Sequence, residues 1–487
     1  MGDITARLCA TAPQHPPLVV DLDGTLLTTD TLVEGFVDVL VTRWQSLPKL
    51  LLTLRAGIAP FKRAVCHATQ LDYAQLPQRQ ALLDYLEEQH ASGRHLHLVS
   101  AADQSIVDSF AATYPIFRSA RGSDGVTNLK GHQKLAYLKE TFPAGFSYVG
   151  DSAADLIVWG GARSIILAGV SAKVAARART LGVPVEASFD TAAGGLQDWI
   201  RALRLHQWAK NILLFIPALL SISDTPVANF LMCLIGFVLL GLAASATYLI
   251  NDMADLASDR QHRTKKLRPF ASGALPLASG LTAAPLMLVA ALALSFVVSP
   301  GFFGVLLLYL VLTLSYSFAL KRVALLDVVI LAVLYTLRLF MGMVLVGVGS
   351  SSWLLAFASF FFFSMSLAKR HAELLAATGP SDKQIVGRGY RPGDWPLTLA
   401  MGTASTVASI LIMIQYLVAE AFPSNTYSYP AALWFAPFLI GLWTCRIWLL
   451  AQRGELDDDP VAFATKDPQS LILGVVLVAS FLAARFV

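Results

Sequence analysis

Acidic residues in one segment of the chain have the types and spacing needed to bind a divalent cation beside a phosphorylated ligand. In "NDMADLASD", Asp252, Asp255 and Asp259 are spaced i, i+3 and i+7, so on one continuous helix they would lie within roughly 60° of one face. Like charges this close repel one another unless a cation joins them, and Mg²⁺ takes carboxylate oxygens together with substrate phosphates. The spacing predicts a metal-bound pyrophosphate with the amide of Asn251 beside it.

A solvated acidic loop is the alternative interpretation of this segment. The residues that follow carry five basic side chains able to pair with the aspartates: Arg260, Arg263, Lys265, Lys266 and Arg268. Exposed pairs of this kind stabilise a protein by only about 0–1 kcal/mol. Arginine and lysine also suit phosphate oxygens, so the same residues fit a phosphate-binding loop.

A pair of aspartates near the N-terminus indicates a second site. Asp21 and Asp23, in "DLDGTLL", follow a buried-strand pattern, and α/β folds place their ligands at this carboxyl edge of the sheet. Two such carboxylates suit a nucleophile and an acid/base group around one Mg²⁺, since a carboxylate can form an aspartyl-phosphate. Further polar residues come at or near later strand ends: Ser100, Lys130, Asp151 and Asp155. An ordinary strand-to-turn junction with solvated acids is the alternative.

Composition divides the 487-residue chain near residue 200. Residues 1–195 alternate short apolar strands with helices, which predicts a parallel α/β domain, and 196–203 are predicted to be a linker. The region 204–487 contains nine apolar runs, each long enough to span the roughly 30 Å hydrocarbon core. These predicted spans are 204–222, 227–249, 277–298, 301–319, 325–347, 352–368, 395–418, 430–449 and 470–487.

The overall composition excludes several classes of protein. The chain is 55% hydrophobic and 14% charged, whereas soluble proteins average about 45–50% apolar and 25% charged residues, so we expect a polytopic membrane protein. A net charge of +4 is too small to suggest nucleic acid binding. The four scattered cysteines predict neither a disulfide framework nor a metal site. Residues 1–17 lack the apolar core of a signal peptide.

Lysine and arginine concentrate in the loops 251–276, 320–322, 369–391 and 446–466. The positive-inside rule places these loops in the cytoplasm, together with the α/β domain, and leaves the C-terminus outside. The loop residues predicted to bind phosphate are Tyr316, Lys321, Arg322, Lys369, Arg370, Arg388 and Arg391.

The motifs of the first domain, taken in order, resemble those of the haloacid-dehalogenase phosphatase superfamily. The resemblance implies that Asp21 is the nucleophile and Asp23 the acid/base group, with Mg²⁺ bound by Asp21, Asp23 and Asp151. It assigns supporting roles to Asp155 at the metal and to Ser100 and Lys130 at the phosphate. Residues 31–75 fit a small helical cap that is apolar and basic. Packing of the cap explains this composition, and so does contact with the membrane surface to receive a lipid-linked substrate.

The pattern N-D-x-x-D-x-x-x-D followed by "KKLRPFASG" resembles the UbiA superfamily of intramembrane prenyltransferases, which implies nine transmembrane helices around a cavity on the cytoplasmic side. Common members carry a second motif, D-x-x-x-D, which is absent after Asp327. The segments "LRLHQWAKNILLFIPAL", "YSFALKRVALLD", "KRHAEL" and "GELDDDPVAFATKDPQ" instead resemble the decaprenyl-phosphate phosphoribosyltransferase branch. In that branch phosphoribosyl pyrophosphate is the donor and a polyprenyl phosphate lipid is the acceptor.

The resemblance implies roles for the remaining polar residues. Mg²⁺ on the three aspartates of the loop would neutralise the leaving pyrophosphate, so positioning and electrostatics suffice without a protein nucleophile. The predicted ligands of the donor phosphates are Lys265, Arg268, Lys321 and Arg322, and those of the lipid phosphate are Arg204, Lys210 and Asn211. Arg204 and Lys210 also suit interfacial anchors. Arg338 lies inside the fifth apolar run, where phosphate binding and an internal salt bridge are both open.

These expectations combine into a bifunctional enzyme of the bacterial inner membrane. It would form a polyprenyl-phosphoryl ribose 5-phosphate and remove the 5-phosphate, supplying pentofuranose units to a cell-envelope glycan. A homo-oligomer is compatible with the sequence. One alternative is a prenyltransferase that uses a prenyl diphosphate and a hydrophobic acceptor, with an accessory phosphatase. The other is a phosphatase tethered by an inactive helical half.

Overall fold

The structure is a computed structural model. It describes residues 15–486, except 190–193, 221–225, 348, 350, 378–387, 424–426 and 457–458. The chain forms two compact units. The first comprises Met1–Leu203 with Leu249–Ala283, and the second comprises Arg204–Tyr248 with Ala284–Val487. The aspartate segment thus belongs to the same compact unit as the α/β fold.

The first unit contains the predicted parallel α/β fold. Its strands are β1 (Leu18–Val20), β2 (Leu96–Asp103), β3 (Phe117–Ser123), β4 (Ser147–Gly150), β5 (Ser164–Ala168) and β6 (Val185–Phe189). Neighbouring strands are all parallel in the order β3-β2-β1-β4-β5-β6. All three residues of β1 are fully buried, as expected of a central strand covered on both faces. The carboxyl end of β1 therefore lies in the middle of the sheet edge.

Among the residues that the structure describes, nine helices accompany this sheet. They are α1 (Thr31–Thr42), α2 (Leu47–Thr53), α3 (Ile58–Ala68), α4 (Gln80–Ala91), α5 (Gln104–Thr113), α6 (His132–Thr141), α7 (Leu156–Trp159), α8 (Ala172–Arg179) and α9 (Leu196–Ala202). The first three, α1 to α3, form the inserted segment predicted to be a cap. The stretch predicted to be a linker, 196–203, contains α9. The domain boundaries stay predictions.

The remaining helices carry the apolar runs. They are α10 (Ile216–Leu220), α11 (Pro226–Ala254), α12 (Leu256–Gln261), α13 (Leu277–Val298), α14 (Pro300–Phe318), α15 (Leu326–Val346), α16 (Ser352–Ala376), α17 (Trp395–Tyr416), α18 (Phe435–Gln452), α19 (Pro460–Ala464) and α20 (Pro468–Phe486). Within the described ranges, eight helices are long and apolar enough to cross a membrane. These eight correspond to the last eight predicted spans.

The first predicted span, 204–222, differs from the expectation. Leu205–Phe215 is a 3₁₀ helix and Ile216–Leu220 is α-helical, while 221–222 lie outside the described residues. The count of nine spans therefore stays a prediction. In the second unit, helices α17 and α18 pack closely at Gly402. A Cβ atom there would overlap the Trp448 ring, and small residues of this kind allow close helix packing.

The aspartate segment is not one continuous helix, which differs from the prediction. Helix α11 ends at Ala254, and Asp255 caps α12 with a non-helical φ of −94° and ψ of 6°. The interruption is local, because Asp255 N still donates to Asn251 O at 2.9 Å and Asp259 N to Asp255 O at 2.8 Å. Tertiary contacts decide how the carboxylates are arranged.

Candidate active sites

Three carboxylates converge at the carboxyl edge of the sheet. Oxygens of Asp21, Asp151 and Asp155 all lie within 4.8 Å of one another. Asp21 follows β1, and the other two follow the adjacent β4, so parallel pairing brings them together. The positive φ of 72° at Gly24 turns the chain here, and a Cβ atom on Gly24 would overlap the Asp151 carboxylate. The local backbone therefore holds the first motif against the last.

Burial and mutual repulsion make it unfavourable for all three carboxylates of this cluster to be ionised together. Burial, followed by the charges of Asp155 and Asp21, raises the pKa of Asp151 to about 8. Positive charge comes from Lys134, whose Nζ donates to Asp21 Oδ2 at 2.6 Å and to the Tyr148 hydroxyl at 2.8 Å. That hydroxyl lies 3.1 Å from both Asp21 and Asp155. A hard divalent cation suits an oxygen set of this kind.

Two of the predicted residues, Asp23 and Lys130, lie outside the three-carboxylate cluster. The Asp23 carboxylate is not part of the three-carboxylate cluster, because it accepts hydrogen bonds from the backbone and hydroxyl of Thr31 at the start of α1, at 3.0 and 3.2 Å. Burial, followed by the Asp30 charge, raises the pKa of Asp23 to about 7, which suits a group that carries a proton. Lys130 is exposed, whereas Lys134, one turn later, reaches Asp21.

The other predicted residues lie at or near the same edge. Ser100 is fully buried in β2, where its hydroxyl accepts from Ala102 N at 3.3 Å. Sequence reasoning missed Lys62 of α3, whose Nζ donates to the carbonyl of Ala101 at 2.6 Å and to Asn128 at 3.1 Å. Lys62 and Asp23 line one small cavity. The signal in the sequence that could have indicated Lys62 was the basic composition of the predicted cap.

The aspartate segment forms a buried carboxylate pair around an arginine. Nη1 of Arg268 lies 3.1 Å from Asp252 Oδ1 and 2.6 Å from Asp259 Oδ2. The two aspartates are only 3% and 1% exposed, so these are not the solvated pairs of the alternative interpretation. Asp259 Oδ1 is buried without a hydrogen-bond partner. An unsatisfied buried carboxylate oxygen is costly, and a cation would satisfy it.

The remaining residues of this segment lie around that pair. Asp255 is half-buried and accepts from the Asn251 amide at 3.1 Å. The three aspartates do not form a tight three-carboxylate group in the part of the chain that the structure describes. Lys265 is exposed. Two carboxylates and Arg268 therefore make the centre of this site, with Asp255 beside it in sequence.

A cationic cluster lies inside the second unit. Asp459, next to α19, is flanked by Lys210 Nζ at 3.4 Å and Lys369 Nζ at 4.0 Å, and accepts from the Tyr335 hydroxyl at 2.8 Å. Although burial would raise the pKa of Asp459, the two lysines hold it below its ordinary value. Arg338 lies over the same Tyr335 ring, 5.3 Å from its centroid. Two lysines thus flank one carboxylate, and a third cation lies over the tyrosine that donates to it.

Arg338 is satisfied by neutral groups. It is 6% exposed and donates to Asn211 Oδ1 at 3.1 Å, to Tyr309 at 2.9 Å and to the Leu334 carbonyl at 2.6 Å. Among the residues with described positions, no carboxylate forms an ion pair with it. The amide nitrogen of Asn211 is buried without a partner. This cluster therefore carries excess positive charge and an unused donor.

Several other predicted phosphate ligands have partners within the protein. Arg370 forms a buried ion pair with Asp327 at 2.5 Å, and Asp327 also accepts from Tyr390 at 2.7 Å. Arg388 donates to the Tyr316 hydroxyl at 3.1 Å. The structure places the other predicted ligands as follows: Arg204 over the Tyr248 ring, Lys321 half-buried, and Arg322 and Arg391 exposed. Arg370 is thus held by an acidic partner within the protein, and its role as a phosphate ligand stays a prediction.

Two known proteins are similar to this chain in sequence. The protein named "Uncharacterized protein y4nM" of Sinorhizobium fredii is 42% identical over 468 residues, covering 96% of this chain and 91% of that protein. The decaprenyl-phosphate phosphoribosyltransferase of Mycobacterium tuberculosis is 34% identical over 294 residues, covering 58% of this chain and 93% of that enzyme.

A solved structure of a UbiA homolog from Archaeoglobus fulgidus bound to GPP and Mg²⁺ is 15% identical, with a TM-score of 0.44, covering 59% of this chain and 98% of that one. The sequence profile of the UbiA prenyltransferase family matches residues 212–466. This chain is a multi-pass membrane protein that belongs to the UbiA prenyltransferase family.

Proposed function

We propose that this chain transfers the 5-phosphoribosyl group of phosphoribosyl pyrophosphate to a polyprenyl phosphate and then removes the 5-phosphate. In the first step the bond between ribose C1 and the pyrophosphate oxygen breaks, and its electron pair leaves with pyrophosphate. An oxygen of the lipid phosphate forms the new bond to C1. In the second step the α/β domain hydrolyses the 5-phosphate to give polyprenyl-phosphoryl ribose.

The observation that carries the proposal is the charge of two buried sites. Asp252 and Asp259 offer carboxylate oxygens, one of them without a partner, while the cluster around Lys210 and Arg338 has excess positive charge. An anionic site suits a metal-bound pyrophosphate, and a cationic site suits the phosphate of an acceptor lipid. The relative from Mycobacterium tuberculosis bears the name of this activity.

The residues of the aspartate segment fit Mg²⁺ at the donor end. Asp252, Asp259 and Asp255 would hold it, and when bound it would neutralise charge on the leaving pyrophosphate. Arg268 already bridges two of these carboxylates, so its guanidinium would stay within reach of the donor phosphates. The D-x-x-x-D motif that common members of the family carry is absent from the sequence after Asp327, which supports ribosyl transfer over prenyl transfer.

The α/β domain provides a set of groups suited to phosphate removal. Asp21 would attack phosphorus, and Asp23, with its raised pKa, would give its proton to the departing ribose oxygen. Water would then hydrolyse the aspartyl-phosphate. Lys134, at 2.6 Å from Asp21, would balance negative charge, and Asp151 with Asp155 would hold Mg²⁺.

The test supplies purified full-length protein in liposomes with labelled phosphoribosyl pyrophosphate and polyprenyl phosphate, followed by mass analysis of the lipids. We expect a labelled polyprenyl-phosphoryl ribose and no product after chelation with EDTA. Labelling from a prenyl diphosphate, with none from phosphoribosyl pyrophosphate, would establish the second candidate, a prenyltransferase, which family membership favours. Phosphatase activity without any lipid transfer would identify a tethered phosphatase.

Replacing Arg338 with glutamine tests the acceptor site. A charge-assisted hydrogen bond is worth about 1.5–3 kcal/mol, so we expect the KM for polyprenyl phosphate to rise by at least about tenfold. The KM for phosphoribosyl pyrophosphate should stay unchanged. Initial rates at varied lipid concentration measure the effect, with the exposed Arg453→Gln as control. An unchanged KM for the lipid would remove Arg338 from the acceptor site.

The cap has a surface suited to the bilayer. Trp44, Leu51 and Leu52 are 65%, 49% and 55% exposed, and the exposed Lys49 and Arg55 lie in the same segment. Apolar side chains beside basic ones favour the interface of anionic lipids. These contacts would bring the phosphatase site to a lipid-linked substrate.

Replacing both Leu51 and Leu52 with glutamine tests this surface. Each buried leucine contributes about 1.5–3 kcal/mol, so we expect dephosphorylation of the lipid-linked substrate to slow by about tenfold. Hydrolysis of water-soluble p-nitrophenyl phosphate should be unaffected, because the catalytic groups are unchanged. Equal losses on both substrates would mean that the leucines only pack the cap.

A further inference from the structure

A buried ion pair joins the α/β fold to the aspartate segment within the first unit. Nη2 of Arg260, in α12, lies 2.6 Å from Glu34 Oε1, and its Nη1 lies 3.1 Å from Glu34 Oε2. The two side chains are only 10% and 1% exposed. Two parallel N–H bonds to one carboxylate give a strong and directional contact. Neither residue belongs to the three-carboxylate cluster, to the carboxylate pair around Arg268 or to the cationic cluster of the second unit.

The Glu34 end of this pair connects to the phosphatase turn. Glu34 Oε1 also accepts from the Thr29 hydroxyl at 2.7 Å, and the Thr29 carbonyl accepts from Gly24 N at 3.1 Å. Thr31, in the same turn of α1, holds the Asp23 carboxylate. Glu34 is therefore one hydrogen bond away from the loop that carries the proposed nucleophile and acid.

The Arg260 end connects to the carboxylates of the proposed transferase site. Arg260 Nε donates to the Ala271 carbonyl at 3.2 Å, which ties α12 to the loop that follows it. Arg268 lies in that loop and bridges Asp252 and Asp259. Arg260 thus links the two ends of this loop, and the position of Arg268 depends on the loop's conformation.

Further contacts around the ion pair hold the loop 260–273 against the α/β fold. Gly273 has a φ of +74°, and a Cβ atom there would overlap the side chain of Thr28 and approach Pro77. Gln261 donates to Gln75 at 3.4 Å. The loop 260–273 is therefore held against the α/β fold by shape as well as by charge, with the Arg260–Glu34 pair as its buried anchor.

We propose that Glu34 is a positioning residue for ribosyl transfer, acting through Arg260 to hold loop 260–273 and thereby Arg268. The inference rests on the proposed function of the aspartate segment. Removing one partner of a buried pair leaves the other charge uncompensated, so the loop moves to solvate Arg260 and the spacing between Arg268 and Asp259 is lost. A residue of the α/β fold thus supports the chemistry of the membrane enzyme.

The experiment compares Glu34→Gln and Arg260→Gln, singly and together, with the exposed Glu87→Gln as a matched control. In full-length protein, we expect each single variant to lower kcat for lipid labelling by about tenfold and to raise the Mg²⁺ concentration that gives half-maximal transfer. The double variant should lose no more than either single variant, because both remove the same contact. Glu87→Gln should behave as wild type.

Amide hydrogen exchange of the same proteins tests the positioning role of Glu34 independently of the proposed function. Amides of residues 260–273 should exchange faster in Glu34→Gln, with the sheet strands unchanged, whichever donor the enzyme uses. Additive losses in the double variant, or unchanged exchange in this loop, would overturn the positioning role. Failure of the wild type to use phosphoribosyl pyrophosphate, with loop exchange still faster in Glu34→Gln, would reject the proposed function alone.

Discussion

Asp259→Asn is expected to abolish lipid labelling from phosphoribosyl pyrophosphate, with a loss of at least about 10²–10³-fold. The substitution keeps the shape of the side chain and removes its charge. Asp259 is 1% exposed, pairs with Arg268 at 2.6 Å through one oxygen and leaves the other without a partner. A neutral amide at this place would no longer attract a divalent cation, and its nitrogen would face the Arg268 guanidinium. Initial rates of lipid labelling measure the loss.

Two controls make this result specific to the aspartate segment. Hydrolysis of p-nitrophenyl phosphate by the same variant should equal the wild-type rate, because Asp21, Asp151 and Asp155, the carboxylates of the proposed phosphatase site, are unchanged. Asp84→Asn, at an exposed position of α4, should leave both activities intact. More than about a tenth of wild-type transfer in Asp259→Asn would contradict a metal role for this carboxylate.

Asp21→Asn is expected to produce the opposite pattern: transfer continues and the 5-phosphorylated lipid accumulates. Asp21 lies at the end of β1, within 4.8 Å of Asp151 and Asp155 and 2.6 Å from Lys134. An amide is a far weaker nucleophile than a carboxylate, so formation of the aspartyl-phosphate should fall by at least about 10³-fold. Mass analysis distinguishes the two lipids by one phosphate.

The comparison with Asp84→Asn again isolates the effect of the charge at one site. If Asp21→Asn still yields the dephosphorylated lipid at the wild-type rate, the α/β domain does not act on the product of transfer. If transfer itself stops, the two reactions are not separable steps, and the order proposed here is wrong. Accumulation of the 5-phosphorylated lipid supports both the order and the assignment.

Several features of this protein could be predicted because they depend on local sequence. Eight of the predicted spans correspond to long apolar helices, since length and hydropathy are properties of a continuous stretch. The parallel α/β fold followed from alternating strands and helices. The continuous helix through Asp252, Asp255 and Asp259 was wrong, because the helix is interrupted at Asp255, where no residue type forces a break. Asp252 and Asp259 nevertheless meet at Arg268.

The choice between nearby residues of the same type depended on the tertiary structure. Lys130 and Lys134 are separated by one turn, yet only Lys134 reaches Asp21. Asp23 turns to the start of α1, while Asp155 joins the three-carboxylate cluster. In each case the deciding factor is the direction of a side chain in three dimensions, which spacing along the chain leaves open.

The sequence by itself determined the class of the molecule: an α/β unit joined to a membrane-spanning helical unit, with acidic and basic residues suited to phosphates. Only the tertiary structure decided which charges meet. Arg260 and Glu34 are 226 positions apart, and Lys210 is brought to Asp459 across most of the helical region. Electrostatic energy depends on distance and burial, and neither quantity exists until the chain has folded.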